Sequence, residues 1–185
     1  LQRLGYLHSG TGDPRKTYAI FENAYEFAKQ SNNPKKADLA NVKYRLGYEA
    51  QNFGDFQLAK KHYLDAAKTL DYINSKDVEF YQQIYNALGG MMWMEAKLDS
   101  SSYYFKKSLI ELEKADESDL MNALFRPALI KMNLSVLKNA LGENQEAISL
   151  SQESIKGFEA YIEKSTDEFR ILSAKRHRAT AIENL

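Results

Sequence analysis

Apolar residues return every three or four positions along most of the chain, with charged and polar residues between them. That is the period an α-helix presents on one face, and no long alternating strand pattern competes with it. The pattern predicts an all-α protein. Its breaks fall at short polar clusters. Asp13-Pro14 and Asn33-Pro34 each offer an N-cap followed by a proline suited to the first helical position. Asp55 and Asp99 stand where they can cap further helices, and Ser165-Thr166-Asp167-Glu168 has the spacing of a capping box. Pro127 is the exception. It lies inside the apolar-periodic run "DLMNALFRPALIKMNLSVL", where it removes a backbone donor and crowds the carbonyl of Ala123. A kink or short break is expected there.

The helical pattern repeats. Segments of 22 residues starting at Leu4, Leu46, Leu88 and Leu134 align without gaps. Each leucine is followed by a small residue: Gly5, Gly47, Gly89 and Ser135. A turn position comes next (Gly12, Gly54, Ala96, Gly142), then a small residue (Thr17, Ala59, Ser101, Ala147). An aromatic follows in three of the four (Phe21, Tyr63, Phe105, with Ser151 in the last), then another small residue (Ala24, Ala66, Ser108, Ser154). Gly5 to Gly47 and Gly47 to Gly89 are each 42 positions apart, and Gly89 to Ser135 is 46.

This pattern resembles the tetratricopeptide repeat (TPR), a helix–turn–helix unit, and the second copy, with Gly47, Gly54, Phe56, Ala59, Tyr63 and Ala66, matches it best. The resemblance implies a right-handed α-α superhelix of four to five helix pairs. Its expected divisions are about 1–33, 34–74, 75–116, 117–165 and a partial repeat or capping helix at about 166–185. The family's usual period is shorter, at about 34 residues. Eight extra residues are about two helical turns, one for each helix, so helices of roughly 17–20 residues are expected. Bacterial peptide-sensing regulators and kinesin light chains carry long repeats of this kind.

Helical geometry separates the faces. Around the first helix of the second repeat, Val42, Leu46, Glu49 and Phe53 share one side, and all but Glu49 read as core. Gly47, and Gly89 after it, would let the two helices of a repeat approach closely, with Met91 and Met92 facing the core. Asn41, Tyr44, Arg45, Tyr48, Gln51 and Asn52 fall elsewhere on that helix. In the resembled family, such a face lines the concave groove. The third repeat gives Gln83, Asn86, Gly90, Trp93 and Met94, and the fourth Leu129, Met132, Asn133, Val136 and Asn139. Aromatics suit such a surface because they bury large area with little rotamer loss, and Asn can pair with both polar groups of an extended backbone. The groove-binding candidates are therefore Asn41, Tyr44, Arg45, Tyr48, Asn52, Asn86, Trp93, Asn133 and Asn139. Trp93 has an alternative role in packing between repeats, and the apolar face of the fourth repeat has one in burial beneath neighbouring chain. The carboxylate clamp known in the family needs Lys, Asn and Arg on consecutive first helices. Here only Arg45 is basic in a suitable place.

Composition narrows the function. Lys plus Arg equals Asp plus Glu, at 25 each in 185 residues, so no excess of positive charge favours nucleic acid. The basic run Lys175-Arg176-His177-Arg178 reads as a solvated helix face. There is no cysteine, and no apolar run approaches a membrane span. His8, His62 and His177 are far apart and form no metal-ligand motif, and no nucleophile motif is present. The expectation is a non-catalytic scaffold with no cofactor and no metal, binding a protein or extended peptide and neither nucleic acid nor membrane. The alternative is a regulatory or sensor segment of a longer bacterial chain whose effector domain (kinase, transcription regulator or caspase-like peptidase) lies elsewhere. "AIENL" at 181–185 resembles "IYNAL" at 84–88, so the last helix would stop short of its small residue, and Leu1 would begin partway through a helix. An apolar patch drawn from Ile155, Phe158, Ile171, Leu172 and Ile182 would then be left for end-to-end self-association.

Overall fold

A computed structural model describes residues 12–30 and 35–185. Leu1, Leu4, Gly5, His8 and the Asn33-Pro34 pair lie outside the described residues. The chain divides into two compact units, 1–77 and 78–185. The first contains α1 (Pro14–Lys29), α2 (Lys36–Asn52) and α3 (Phe56–Tyr72). The second contains α4 (Val78–Met94), α5 (Leu98–Leu112), α6 (Arg126–Ala140), α7 (Asn144–Lys164) and α8 (Glu168–Glu183). No strand occurs among the described residues. Within the first unit α2 packs on both α1 and α3. Within the second, α4 pairs with α5 and α6 with α7, while α5 packs on α6 and α8 on α7. The helices α2, α3 and α4 have 17 residues each, within the expected 17–20, whereas α1, α5, α6 and α8 have 15 or 16 and α7 has 21.

Three helix starts are set by aspartates whose side chains accept otherwise unpaired N–H groups. Asp13 accepts from Arg15 at 2.9 Å with Pro14 opening α1, and Asp55 accepts from Leu58 at 3.0 Å. Asp167 accepts from Arg170 at 3.1 Å. Two expectations are corrected. Asp99 does not cap α5: Lys97 takes the cap position, and Asp99 lies within the first turn. The capping box at 165–168 is displaced because Asp167 itself caps α8, while the Ser165 hydroxyl accepts from the Asp167 N–H.

The turn inside each helix pair is one motif used three times. Gly54 (φ +87°), Ala96 (φ +55°) and Gly142 (φ +77°) all sit in the left-handed region. Their N–H groups donate to Gln51, Trp93 and Asn139, and those of Asp55, Lys97 and Glu143 reach back to Ala50, Met92 and Lys138. These bonds satisfy carbonyls that a helix end leaves open. An alanine in this conformation is strained by roughly 1–2 kcal/mol. Ala96→Gly should therefore stabilise the protein by about 1 kcal/mol, read as a rise in the thermal midpoint. An unchanged or lower midpoint would show that the Ala96 backbone is not held there.

The small and aromatic repeat positions build the core. Thr17, Phe21, Ala24, Ala59, Tyr63, Ala66, Ser101, Phe105, Ser108, Ala147, Ser151 and Ser154 are all buried. Ser101, Ser108 and Ser154 use their hydroxyls between helices, whereas the buried Ser151 hydroxyl has no partner. Ser108 donates to the Gln82 carbonyl at 2.9 Å, and Ser154 makes the matching bond to Ala128 at 2.8 Å. A Cβ on Gly47 would lie 2.8 Å from the Tyr63 ring, and one on Gly89 2.6 Å from the Phe105 ring. In the fourth repeat Ser135 faces the same register as Ser151, and both are buried.

Pro127 has the expected effect in a specific form. A π-helical turn, Met121–Phe125, precedes it and runs directly into α6, with the Arg126 N–H donating to the Met121 carbonyl five residues back. Proline offers no N–H, and its ring crowds the carbonyl four residues earlier, so widening the turn relieves both effects. The helix thus starts 14 residues before Ser135, whereas α4 starts 11 before Gly89. The longer fourth spacing is absorbed here and in the connection after α5.

Two histidines join helices from half-buried positions. The Tyr18 hydroxyl and His62 Nε2 are hydrogen-bonded at 2.9 Å between α1 and α3, and the His177 ring stacks on Phe158 at 5.8 Å. Burial holds both imidazoles below their ordinary range. The unfolded chain therefore takes up protons first, and stability should fall as pH drops through about 6.5. Glu49, whose carboxyl burial raises, acts in the opposite direction. Melting at pH 7.5 and pH 5.5 should show the lower midpoint at pH 5.5. His62→Gln combined with His177→Gln should narrow that difference, and an equal difference in the variant would refute the assignment.

The terminal patch is corrected in part: Leu172 and Ile182 are exposed as expected and Ile171 is half-buried, but Ile155 and Phe158 are not available. Phe158 is fully buried and Ile155 packs against its cluster, with Phe125, Tyr161, Ala174 and Ala181. Helix α8 covers them. The exposed apolar residues at this end are Phe169, Leu172, Ile182 and Leu185.

Candidate functional site

In the first unit, α2 presents the expected face. Val42 and Leu46 are buried with Phe21, Gly47 lies against the Tyr63 ring of α3, and Ala50 is buried. That orientation turns Tyr48 and Asn52 to solvent and leaves Asn41, Tyr44 and Arg45 half-buried. The Tyr44 ring rests 5.5 Å from that of Tyr63, and the Arg45 guanidinium 5.6 Å from the Tyr44 ring. Tyr63 donates to Gln51 Oε1 at 2.9 Å. The rings are thus braced from behind, with Tyr48 keeping 40% of its surface exposed.

Sequence reasoning missed Glu49. Set apart from the core stripe because it is charged, it is only 1% exposed. Burial raises its carboxyl, while a hydrogen bond from Asn52 and the charge of Arg45 draw it back. Its Oε1 has no hydrogen-bond partner. Its position on the Val42–Leu46 side was the available signal. A buried acceptor left open costs about 1–3 kcal/mol unless a donor reaches it.

In the second unit, Asn86 and Gly90 lie half-buried on α4, and Met94 is exposed. The Asn86 Oδ1 is another buried acceptor without a partner. A Cβ on Gly90 would meet nothing within 4 Å, so an open space does exist beside α4 there. Trp93 is half-buried and packs against the cluster of Phe105, Leu112, Ile130, Leu134 and Leu137. It therefore joins the third and fourth repeats while keeping part of its surface free. On α6, Asn133 is half-buried and Asn139 and Val136 are exposed, but Met132 is buried in the core. The apolar side of this helix is thus partly consumed by packing.

No group of three His, Asp or Glu suited to a metal ion occurs among the described residues. No described helix is long and apolar enough to cross a membrane.

No family model matches the sequence, and no curated protein does. Solved structures resemble it in fold. BtubC (BKLC) from P. vanneervenii has a TM-score of 0.79 at 16% identity, over 98% of this chain and 70% of its own. MamA has a TM-score of 0.52 at 14% identity, over 97% of this chain and 93% of its own. Together with the repeated turn, the glycine–aromatic contacts and the successive helix pairs, these likenesses show an all-α, TPR-like fold.

Proposed function

We propose that the protein is a non-catalytic scaffold that binds an extended peptide or protein segment. The binding faces would be those carried by Asn41, Tyr44, Arg45, Tyr48 and Asn52 on α2, by Asn86 and Trp93 on α4, and by Asn133 and Asn139 on α6. We place the array among the long-repeat TPR proteins, with the divisions expected from its 42-residue spacing. The observation that carries the reading is the recurrence, on α2 and α4, of exposed or half-buried aromatic and amide side chains outside the core stripe: Tyr48 and Asn52 on one, Asn86 and Trp93 on the other. Such side chains offer an extended peptide flat apolar area and partners for its backbone N–H and C=O groups.

A displayed library of random peptides, selected on the wild-type protein, tests this. Peptides held by the α2 face should bind Tyr48→Ala, and those held by the α4 face Asn86→Ala, at least about tenfold more weakly than wild type, since a centrally placed contact can contribute about 2 kcal/mol. The melting temperatures of both variants should stay close to wild type, because these side chains are not core. A library that yields no saturable binder, or binders indifferent to both substitutions, would overturn the proposal.

A further inference from the structure

We propose a second docking site in the first unit, a lysine–tyrosine pocket that accepts an acidic peptide segment. A hollow of about 350 Å³ lies among α1, α2 and α3, lined by Tyr25, Lys36, Lys43, Asp65, Lys68 and Tyr72 with Leu39 and Thr69. Its α2 residues sit on the opposite side of that helix from Tyr44, Arg45 and Tyr48, by the 100° step per residue. The pocket is therefore separate from the α2 binding face, and its occupant does not depend on that reading.

The charges are unbalanced. Three lysines line the hollow against one carboxylate. Lys43 is committed: its Nζ lies 3.2 Å from Asp65 Oδ2, and both side chains are largely shielded. Lys36 and Lys68 are exposed, and neither has a carboxylate within 4.0 Å among the described residues. The Lys36 ammonium instead sits 3.7 Å over the Tyr72 ring. That contact holds a long, flexible cation in place before any anion arrives. Tyr72 is itself 72% exposed, so an apolar surface stands beside the ammonium and remains open to a ligand. In a chain of zero net charge, two uncommitted cations beside aromatic walls form a local attraction for negative charge.

The matching ligand has one or two carboxylates next to an apolar or aromatic side chain. A glutamate- or aspartate-rich peptide with an interspersed Phe or Tyr has that form: carboxylates for Lys36 and Lys68, and a ring against Tyr25 and Tyr72. Nucleic acid fits less well. It requires a track of cations along many phosphates, and here two free lysines share the pocket with Asp65.

The test uses the 185-residue protein and a fluorescein-labelled octapeptide of six glutamates and two phenylalanines, with glutamine replacing glutamate in the control. Fluorescence polarisation should show saturable binding of the acidic peptide. Binding should be at least about tenfold weaker for the control peptide and for the Lys36→Gln/Lys68→Gln variant, and should weaken as salt screens the charges. Lys36→Arg/Lys68→Arg should retain binding, and so should Tyr48→Ala, which leaves this side of α2 untouched. Circular dichroism confirms that the exposed-lysine variants remain folded. Equal binding by the glutamine variant would overturn the proposal. So would tighter, lysine-dependent binding of labelled oligothymidylate or of phosphatidylserine vesicles, since the patch would then be a general polyanion surface. Loss of binding in Tyr48→Ala alone would place the acidic peptide on the other face of α2 and likewise overturn it.

Discussion

Gly89→Leu should destabilise the second unit by about 3 kcal/mol, while Gly90→Ala, one residue away, should stabilise it by about 0.5–1 kcal/mol. The two glycines occupy the same helix, so the usual helix penalty of glycine, roughly 1 kcal/mol, applies to both. Their surroundings decide the sign. A Cβ at position 89 would stand 2.6–2.9 Å from three atoms of the Phe105 ring, and that ring is buried among other core residues and cannot swing aside. A Cβ at position 90 meets nothing within 4 Å. The chain's single tryptophan, Trp93, packs against the Phe105 cluster and reports on it by fluorescence during urea unfolding. Opposite shifts of the midpoint are the expected result. If Gly89→Leu were as stable as wild type, α4 and α5 could not be in close contact at that point.

Tyr63→Ala should cost about 3–5 kcal/mol, the range for removing a large buried aromatic. Tyr63 is fully buried, fills the space opposite Gly47 and touches the Tyr44 ring. Its hydroxyl also donates to Gln51. Tyr63→Phe separates the two contributions: it keeps the ring and removes one hydrogen bond, so it should cost only about 1 kcal/mol. Circular dichroism melts of the pair should therefore place the phenylalanine variant near wild type and the alanine variant far below it. Equal losses would assign the stability to the Tyr63–Gln51 bond and not to packing. Tyr63→Ala also removes the ring behind Tyr44, so it should weaken peptide binding at the α2 face along with stability.

The sequence alone determined the elements and their repetition. An apolar residue every three or four positions leaves a helix few alternatives, because burial of one stripe is what stabilises it. The gap-free recurrence of Leu, a small residue, a turn, a small residue and an aromatic placed Gly47 and Gly89 where the helices of a repeat approach closely, since a repeat must solve the same packing problem each time. That each glycine meets a ring, Tyr63 and Phe105, came from the structure. Pro127 announced its own disturbance. Tertiary structure decided the rest, because neighbouring elements compete for the same side chain. Glu49 has a charge that argues for solvent, yet its place on the core side of α2 carries it inside. Trp93 is shared between a half-open face and the cluster around Phe105, a balance set by how closely α5 and α6 approach. Asp99 and Ser165 were plausible caps by spacing, but helix starts shift by a residue or two: α8 is capped by Asp167, and α5 begins ahead of Asp99 with no side-chain cap. Ile155 and Phe158 lost their exposure to α8, whose small buried residues Ala174 and Ala181 allow it to lie close against α7. The lysine–tyrosine pocket has no linear signature at all: its residues come from three helices, and only their packing brings unpaired ammonium groups and open rings to one place.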